Sequence, residues 1–344
     1  WIIGGVLNTP IETANKRDYR TDKAMLLAKA ADLRVADSIW LIRSRLKAAL
    51  LEAYSAQESV KLLEQHITIQ TKINQLLEQQ ATVGEIALVE VTRARITLNQ
   101  LKIGLDTAHK RIADSRVMLA TIIGIPVEGL PANVLQAEEW SSVPDLMQVP
   151  VQQMKRVALH SRPDIVAALT DYDAAQSALQ LEIANQYPNL SLAPGYTWDL
   201  GANYWVLGAS LLQLPIFNQN QGPIAEAEAK RKEMAQRFLA LQLKVISDVD
   251  RANAGLQSIA DKWTEVERQQ QMQKKHQEEV QANYDGGEAD QITLLLAKIE
   301  DIATQRSALD VLIESHQAEN GLEDTLRQPM HSVLSANLQA RADH

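Results

Sequence analysis

Asn189-Leu190-Ser191-Leu192-Ala193-Pro194-Gly195-Tyr196-Thr197-Trp198-Asp199-Leu200 reads with a period of two. Leu190, Leu192, Pro194, Tyr196, Trp198 and Leu200 form one set, and the residues between them are polar or small. Alternation of this kind marks a strand whose two faces meet different surroundings. Tyr204–Leu214 follows as a second extended run, with Leu200-Gly201-Ala202-Asn203 predicted as the turn, and Asp199 is the only charge between Ile183 and Ala225. Each run has about the 9–11 residues that a bilayer-crossing strand needs. Trp1, Tyr187, Tyr196, Trp198, Tyr204 and Trp205 suit a membrane–water interface. A lone hairpin leaves unpaired backbone at its edges, which hydrocarbon does not tolerate. With Trp1–Thr9 as a further strand, the membrane reading therefore requires several copies to share one closed barrel. The alternative is a soluble, elongated coiled-coil scaffold or tether capped by the hairpin.

Outward from this region the chain reads as helix. No proline occurs between Pro10 and Pro126, or between Pro223 and Pro329. Each stretch is split by one glycine turn, Thr82-Val83-Gly84-Glu85 and Asp285-Gly286-Gly287-Glu288. The arms before these turns, from about Thr21 and about Ile224, would each be roughly 90 Å long as straight helices. Val245, Val249, Ala252, Leu256, Ile259, Trp263 and Val266 follow coiled-coil spacing, whereas Glu267–Glu279 is polar apart from Met272. Pro126, Pro131, Pro144, Pro150 and Pro163 punctuate a connector.

The segment Gly84–Ile96 aligns without gaps on Gly287–Ile299. Trp1-Ile2-Ile3-Gly4 matches Trp205-Val206-Leu207-Gly208, and Pro10-Ile11 matches Pro215-Ile216, at nearly the same offset. The order of these landmarks predicts an internal two-fold repeat. The second copy has about fifty residues, Met154–Tyr204, ahead of Trp205, and the first has no counterpart. A helix and a strand are therefore expected upstream of Trp1, where neither a Met nor a signal peptide is seen. The predicted parts are a strand at 1–12, a helical hairpin at 13–126 with its tip near 82–86, and a connector at 127–153. A helix at 154–187, a transmembrane hairpin at 188–215, a second helical hairpin at 216–328 with its tip near 284–289, and a tail at 329–344 complete them.

Composition narrows the chemistry. The 344 residues contain no Cys, which excludes disulfides, thiolate catalysis and iron–sulfur sites, and the net charge of −9 argues against a nucleic-acid partner. Low Gly (14) and Pro (11) with 4% aromatics fit helices packed through small contacts. No apolar run is long enough for a transmembrane helix. His66, His109, His160, His276, His316, His331 and His344 are scattered without metal-ligand spacing. His160-Ser161-Arg162-Pro163-Asp164 reads as a helix start with Ser161 as N-cap and Asp164 as its partner. No catalytic constellation or cofactor motif emerges, so no enzyme, metal site or cofactor is expected.

Several ordered landmarks carry a resemblance. They are Arg162-Pro163-Asp164-Ile165, Tyr187-Pro188-Asn189-Leu190-Ser191-Leu192, Trp205-Val206-Leu207-Gly208 and Leu214-Pro215-Ile216-Phe217-Asn218. The last is the tip Tyr284…Gly287…Ile292-Thr293-Leu294-Leu295-Leu296-Ala297. Together they resemble the outer-membrane efflux proteins, the TolC-like channels, over roughly 1–328. Pro10-Ile11-Glu12-Thr13-Ala14-Asn15-Lys16-Arg17 is similar to the heavy-metal, CzcC-like branch. The resemblance implies a mainly α fold with a small β part. In the implied homotrimer, four strands per subunit build a twelve-stranded outer-membrane barrel, and long helices form a periplasmic tunnel. It implies an exit duct for metal cations or drugs, partnered by a periplasmic adaptor and an inner-membrane pump of the RND type. The adaptor would dock at the tips, at Gly84, Glu85, Gly286, Gly287 and Glu288. Family members often carry Asp six or nine positions after the tip glycine, where this chain has Thr293 and Leu296. The implied constriction is then an apolar ring of Ile292 and Leu296, or one that uses Asp290.

Overall fold

The computed structural model describes residues 1–131, 140–144, 150–211 and 218–330. Parts of the connector, the Leu214-Pro215-Ile216-Phe217 landmark and the tail beyond Met330 lie outside the described residues. The chain divides into two compact units, one of Trp1–Ser38 with Lys155–Ser247, the other of Ile39–Met154 with the residues from Asp248 onward.

The first unit holds the sheet. Its strands are β1 (Ile2–Val6), β2 (Thr9–Ile11), β3 (Leu190–Asp199) and β4 (Ala202–Leu211). β3 is central, with β4 antiparallel on one side and β1 and β2, end to end, antiparallel on the other. The β3–β4 turn has two residues rather than the four suggested by the sequence. Leu200 (φ 46°) and Gly201 (φ 90°) are both left-handed, the type I′ geometry that matches strand twist. β4 therefore begins at Ala202.

Trp1–Thr9 is not one uninterrupted strand, and Pro194 is the reason. The register is continuous, Val6 facing Gly195 and Thr9 facing Leu192. Between them the Leu7 amide donates to the Pro194 carbonyl at 2.9 Å, but proline has no N–H to return. One ladder bond is lost and the first strand splits into β1 and β2. Antiparallel residues turn their backbone groups to one neighbour at a time, so the ladder to β4 runs unbroken past Pro194.

The helices are α1 (Lys16–Thr82), α2 (Leu88–Ile123), α3 (Val151–Ser161), α4 (Pro163–Ala184), α5 (Gln221–Asp285) and α6 (Gln291–Leu326). Among the described residues none is long and apolar enough to cross a membrane. The helix expected at 154–187 is two helices. Pro163 cannot continue the hydrogen bonding of α3, and Arg162 in extended conformation becomes the N-cap residue of α4. Ser161 is not the cap: it ends α3, and its hydroxyl donates to the Val157 carbonyl. Asp164 instead pairs with Arg162 and accepts from the Ile165 amide.

Within the second unit the helices pack in the order α2, α1, α6, α5. Ala49 and Ala53 of α1 close on Leu119 and Ala120 of α2, and Arg111 reaches Glu52. Leu51 of α1 meets Leu309 and Ile313 of α6 under Trp140. Val280 of α5 meets Leu294 and Ala297 of α6. These contacts rest mostly on Ala, Val and Leu, which lets helix axes approach closely. Of the predicted α5 seam, Val245, Val249, Leu256 and Val266 are buried, while Ile259 and Trp263 are half-buried.

Candidate functional site

Two regions carry surface features that packing inside one chain leaves unused: the sheet and the two helix tips. In an antiparallel sheet, residues in register share a face. Leu190, Leu192, Pro194, Tyr196 and Trp198 of β3 therefore lie on one face with Ile3 of β1, Ile11 of β2, and Trp205, Leu207 and Ala209 of β4. The other face has Ser191, Ala193, Gly195 and Thr197 with Gly4, Val206 and Gly208. Large side chains on the first face stand in solvent: Ile3 is 66% exposed, Trp205 82% and Leu207 77%. A soluble domain would bury such a face rather than display it.

The second face is close-fitting. A Cβ on Gly4 would stand 2.7 Å from the Thr197 hydroxyl, and one on Gly195 would stand 3.1 Å from Val6. Ser191 is buried and hydrogen-bonded to Asn8. Gly4, Ala193, Gly195 and Gly208 keep the middle of this face small, while Ile2, Val6, Tyr204 and Val206 stand exposed on it.

The aromatic residues expected at an interface fall at two levels. Tyr196, Trp198, Tyr204 and Trp205 sit near the hairpin turn, and Tyr196 and Trp205 touch with ring centroids 4.9 Å apart. Trp1, just ahead of β1, is 96% exposed. Tyr187 lies at the helix end of β3. Tyr204, paired with Thr197, is on the opposite face from Trp205, a consequence of the period of two. Ten residues of β3 extend about 33 Å, and at the usual tilt of about 45° they span about 23 Å, close to the ~25 Å apolar band of a barrel.

Below the sheet, Lys16 opens α1 and is buried. Its ammonium donates to the Tyr187 carbonyl at 2.5 Å and to Asn189 Oδ1 at 2.6 Å, and burial lowers its pKa. Ala14 and Asn15, both at positive φ, turn the chain from β2 into that position. Lys16 thus fastens strand to helix.

The tips share a backbone. Gly84 (φ 80°) and Gly287 (φ 79°) are left-handed, where a β-carbon is strained. The Glu85 amide donates to the Gln80 carbonyl and the Glu288 amide to the Asn283 carbonyl, each closing a Schellman motif. Gly286 continues the helical bonding of α5, its amide donating to the Ala282 carbonyl. Glu85, Gly287 and Glu288 are all exposed.

Asp290 is the N-cap of α6, and its carboxylate accepts from the Thr293 amide at 2.8 Å. Thr293 holds the carboxyl below its ordinary pKa. Ala87, the N-cap position of α2, has the same extended backbone and no side chain to cap with. Of the constriction candidates, Ile292 is half-buried, Thr293 is exposed and Leu296 is 48% exposed. Leu294 and Leu295 between them are buried, as the helical period requires, with Leu294 holding α6 to α5. Sequence reasoning missed the first tip's surface: Val83, Leu88, Val89 and Ile96 are all more than half exposed. Among the described residues no three His, Asp or Glu form a metal-binding group.

Residues 156–326 match the model of a family described as Outer membrane efflux protein. The cobalt-zinc-cadmium resistance protein CzcC of Cupriavidus metallidurans is 26% identical over 241 residues, covering 70% of this chain and 56% of that protein. The pyoverdine export outer membrane protein OpmQ of Pseudomonas putida is 24% identical over 253 residues, covering 67% of this chain and 52% of that protein. The chain thus spans a little over half the length of these relatives. The outer-membrane channel OprN superposes with a TM-score of 0.79 at 16% identity, covering 95% of this chain and 81% of that one. The mainly helical fold with its small sheet is therefore the fold of these channels.

Proposed function

Residues 156–326 belong to the outer membrane efflux protein family, and from that premise we propose that the chain is the outer-membrane exit duct of a tripartite efflux system. The observation that carries the reading is the sheet: one apolar, aromatic-edged face displayed to the surroundings on strands long enough to cross a bilayer. Neither edge of a three-strand-wide sheet is tolerable in lipid, so the barrel is closed by copies of the chain. Three copies with four strands each make the twelve-stranded barrel, and β1 with β2, β3 and β4 are three of the four strands of each copy. In the helical part, α2 and α5 are the outermost of the row, and Val89, Ile96 and Ile103 line an exposed face of α2 at seven-residue spacing. Such a seam suits a helix of the neighbouring copy, and α2-to-α5 contacts repeated around an axis close a ring.

An internal duplication is supported by matched boundaries. α2 ends at Ile123 before Gly124 at φ 80°, and α6 ends at Leu326 before Arg327 at φ 52°. The glycines of the two tips lie at the same separation of 203 positions. The tips are the adaptor-docking ends, at Gly84, Glu85, Gly286, Gly287 and Glu288, and the aperture is narrowed by Leu296 and Ile292 with Asp290 and Thr293 beside them. An inner-membrane pump of the RND type supplies the energy. Metal cations are the favoured cargo, on the likeness to a cobalt-zinc-cadmium resistance protein. An exported siderophore-like molecule is the second option, on the likeness to a pyoverdine export protein.

The test is to express the protein behind a secretion signal and assay the membrane fraction. The duct reading expects resistance to alkaline extraction, a trimer in detergent and single-channel conductance in planar bilayers. A water-soluble monomer with shielded tryptophans would overturn it in favour of the scaffold.

A further inference from the structure

His316 is a titratable group with no part in the duct as described. It lies on α6, 4% exposed, and neither ring nitrogen has a hydrogen-bond partner among the described residues. One turn on, Asn320 gives its amide N–H to the Ser44 carbonyl of α1 at 3.0 Å, while its Oδ1 is also without a partner. Glu319 Oε2 approaches His316 Nδ1 to 3.5 Å, long for a hydrogen bond. The same oxygen accepts from Lys47 of α1 at 3.0 Å, and Lys47 also reaches Glu323 at 3.1 Å. Arg43 of α1 adds a second ion pair to Glu323 at 3.0 Å. Trp140 covers the imidazole with ring centroids 6.5 Å apart, and Tyr54 stacks edge-on against Trp140.

Across this contact α1 presents two cations, Arg43 and Lys47, and α6 presents two carboxylates, Glu319 and Glu323. Asp324 and Arg327 pair with each other on α6, and neither Tyr54 nor Trp140 carries a charge at neutral pH. Among the described residues the contact is balanced only while His316 is neutral. We propose that His316 is a proton-operated release for the α1–α6 clasp.

A neutral imidazole offers one donor and one acceptor, and an imidazolium offers two donors. Asn320 Oδ1, which has no partner among the described residues, and Glu319 Oε2, which already accepts from Lys47, are the acceptors that suit the protonated form. Once charged, His316 competes with Lys47 for Glu319, and the net charge that α6 turns toward α1 falls from two negatives to one. Lys47 and Arg43 then face a third cation in a poorly hydrated place, where like charges interact strongly. Protonation therefore favours a state in which α1 and α6 have parted and water reaches the ring. Lys47 donates to Glu319 at 3.0 Å, a charge-assisted bond that favours the ionised carboxylate, so Glu319 does not absorb the proton in His316's place. The sign follows: the clasp is complete while the imidazole is neutral and is lost once it takes up a proton.

The chain has no cysteine, so spin labels can be placed on Ala48→Cys and Gln317→Cys, both exposed, one on each helix. Distances would be measured by double electron–electron resonance on the full chain in detergent at pH 8 and pH 5.5. The population at longer distance is expected to rise several-fold at pH 5.5. His316→Gln should remove the response, and His276→Gln, at an exposed contact with Glu300, should leave it intact. A pH-independent distance in the parent, or an unchanged response in His316→Gln, would sink the proposal. If His316→Gln does not fold, Lys47→Gln decides: removing the competing cation should abolish the response, and retention overturns the idea. Helix separation is read without conduction, so a silent bilayer recording would count against the duct and not against the clasp.

Discussion

The two helix tips have one backbone and two surfaces. Gly84 and Gly287 take the same left-handed turn, the same amide closes each Schellman motif, and both following helices begin from an extended residue. Their side chains then diverge. The first tip displays Val83, Leu88, Val89 and Ile96 beside Glu85, Glu90, Arg93 and Arg95, charges of both signs. The second displays Asp285, Glu288 and Asp290, with Glu278 and Glu279 a turn or two back, and keeps Leu294 and Leu295 inside. Glycine conformation is a steric requirement that both copies must meet. Exposed side chains carry no such requirement, so they are where one copy acquires chemistry that the other lacks. If both tips dock on one adaptor, they do so by different forces, apolar burial at the first and charge at the second.

That difference is broken most severely at Leu88 and Val83. Replacing both by Ser removes two exposed apolar side chains and should weaken adaptor binding by roughly 2–3 kcal/mol, with little change in stability. Asp285→Asn with Glu288→Gln should instead lower affinity only at low salt, because screening at 0.15 M already removes much of an exposed charge interaction. Titrations of the cognate adaptor by interferometry at two ionic strengths distinguish the two. Equal salt dependence at both tips would refute the division.

The backbone half of the comparison predicts equality. Gly84→Val and Gly287→Val each force a β-branched residue into positive φ and should each cost about 1–3 kcal/mol. Hydrogen exchange of the adjoining amides would report the loss. A large difference between the two would mean that the turns are not equivalent.

How much of this is written locally in the sequence depends on the distance over which each feature is decided. The long helices follow from missing prolines, and the tips follow from glycine at the point where polar and apolar periodicity break. The hairpin follows from a period of two. Pro194 was visible too, but whether its missing N–H would injure the bond to β1 or to β4 depends on register across about 190 residues. The break at Arg162-Pro163 shows the limit of local motifs, since Ser161 fits a cap pattern and yet belongs to the preceding helix. His316 looked like one of several scattered histidines. Its meaning comes from Lys47 and Ser44, some 270 positions away, and no spacing rule encodes that.

The smallest effect is the most discriminating, because it moves a feature from one tip to the other. Asp290 caps α6, and Asp290→Ala should cost about 1 kcal/mol. Its folded pKa lies below the ordinary value, so this stabilisation is present above about pH 4 and fades as pH falls through the folded pKa. Ala87 already has the extended backbone an N-cap needs, at φ −75° and ψ 143°. Ala87→Asp should therefore gain about 0.5–1 kcal/mol and acquire the same loss in acid. Exchange rates of the first amides of α2 and α6, followed from pH 3 to 7, measure both. If Ala87→Asp gives no gain, the two helix starts differ in a way their backbones do not reveal. The likeness of the tips would then stop at the glycines.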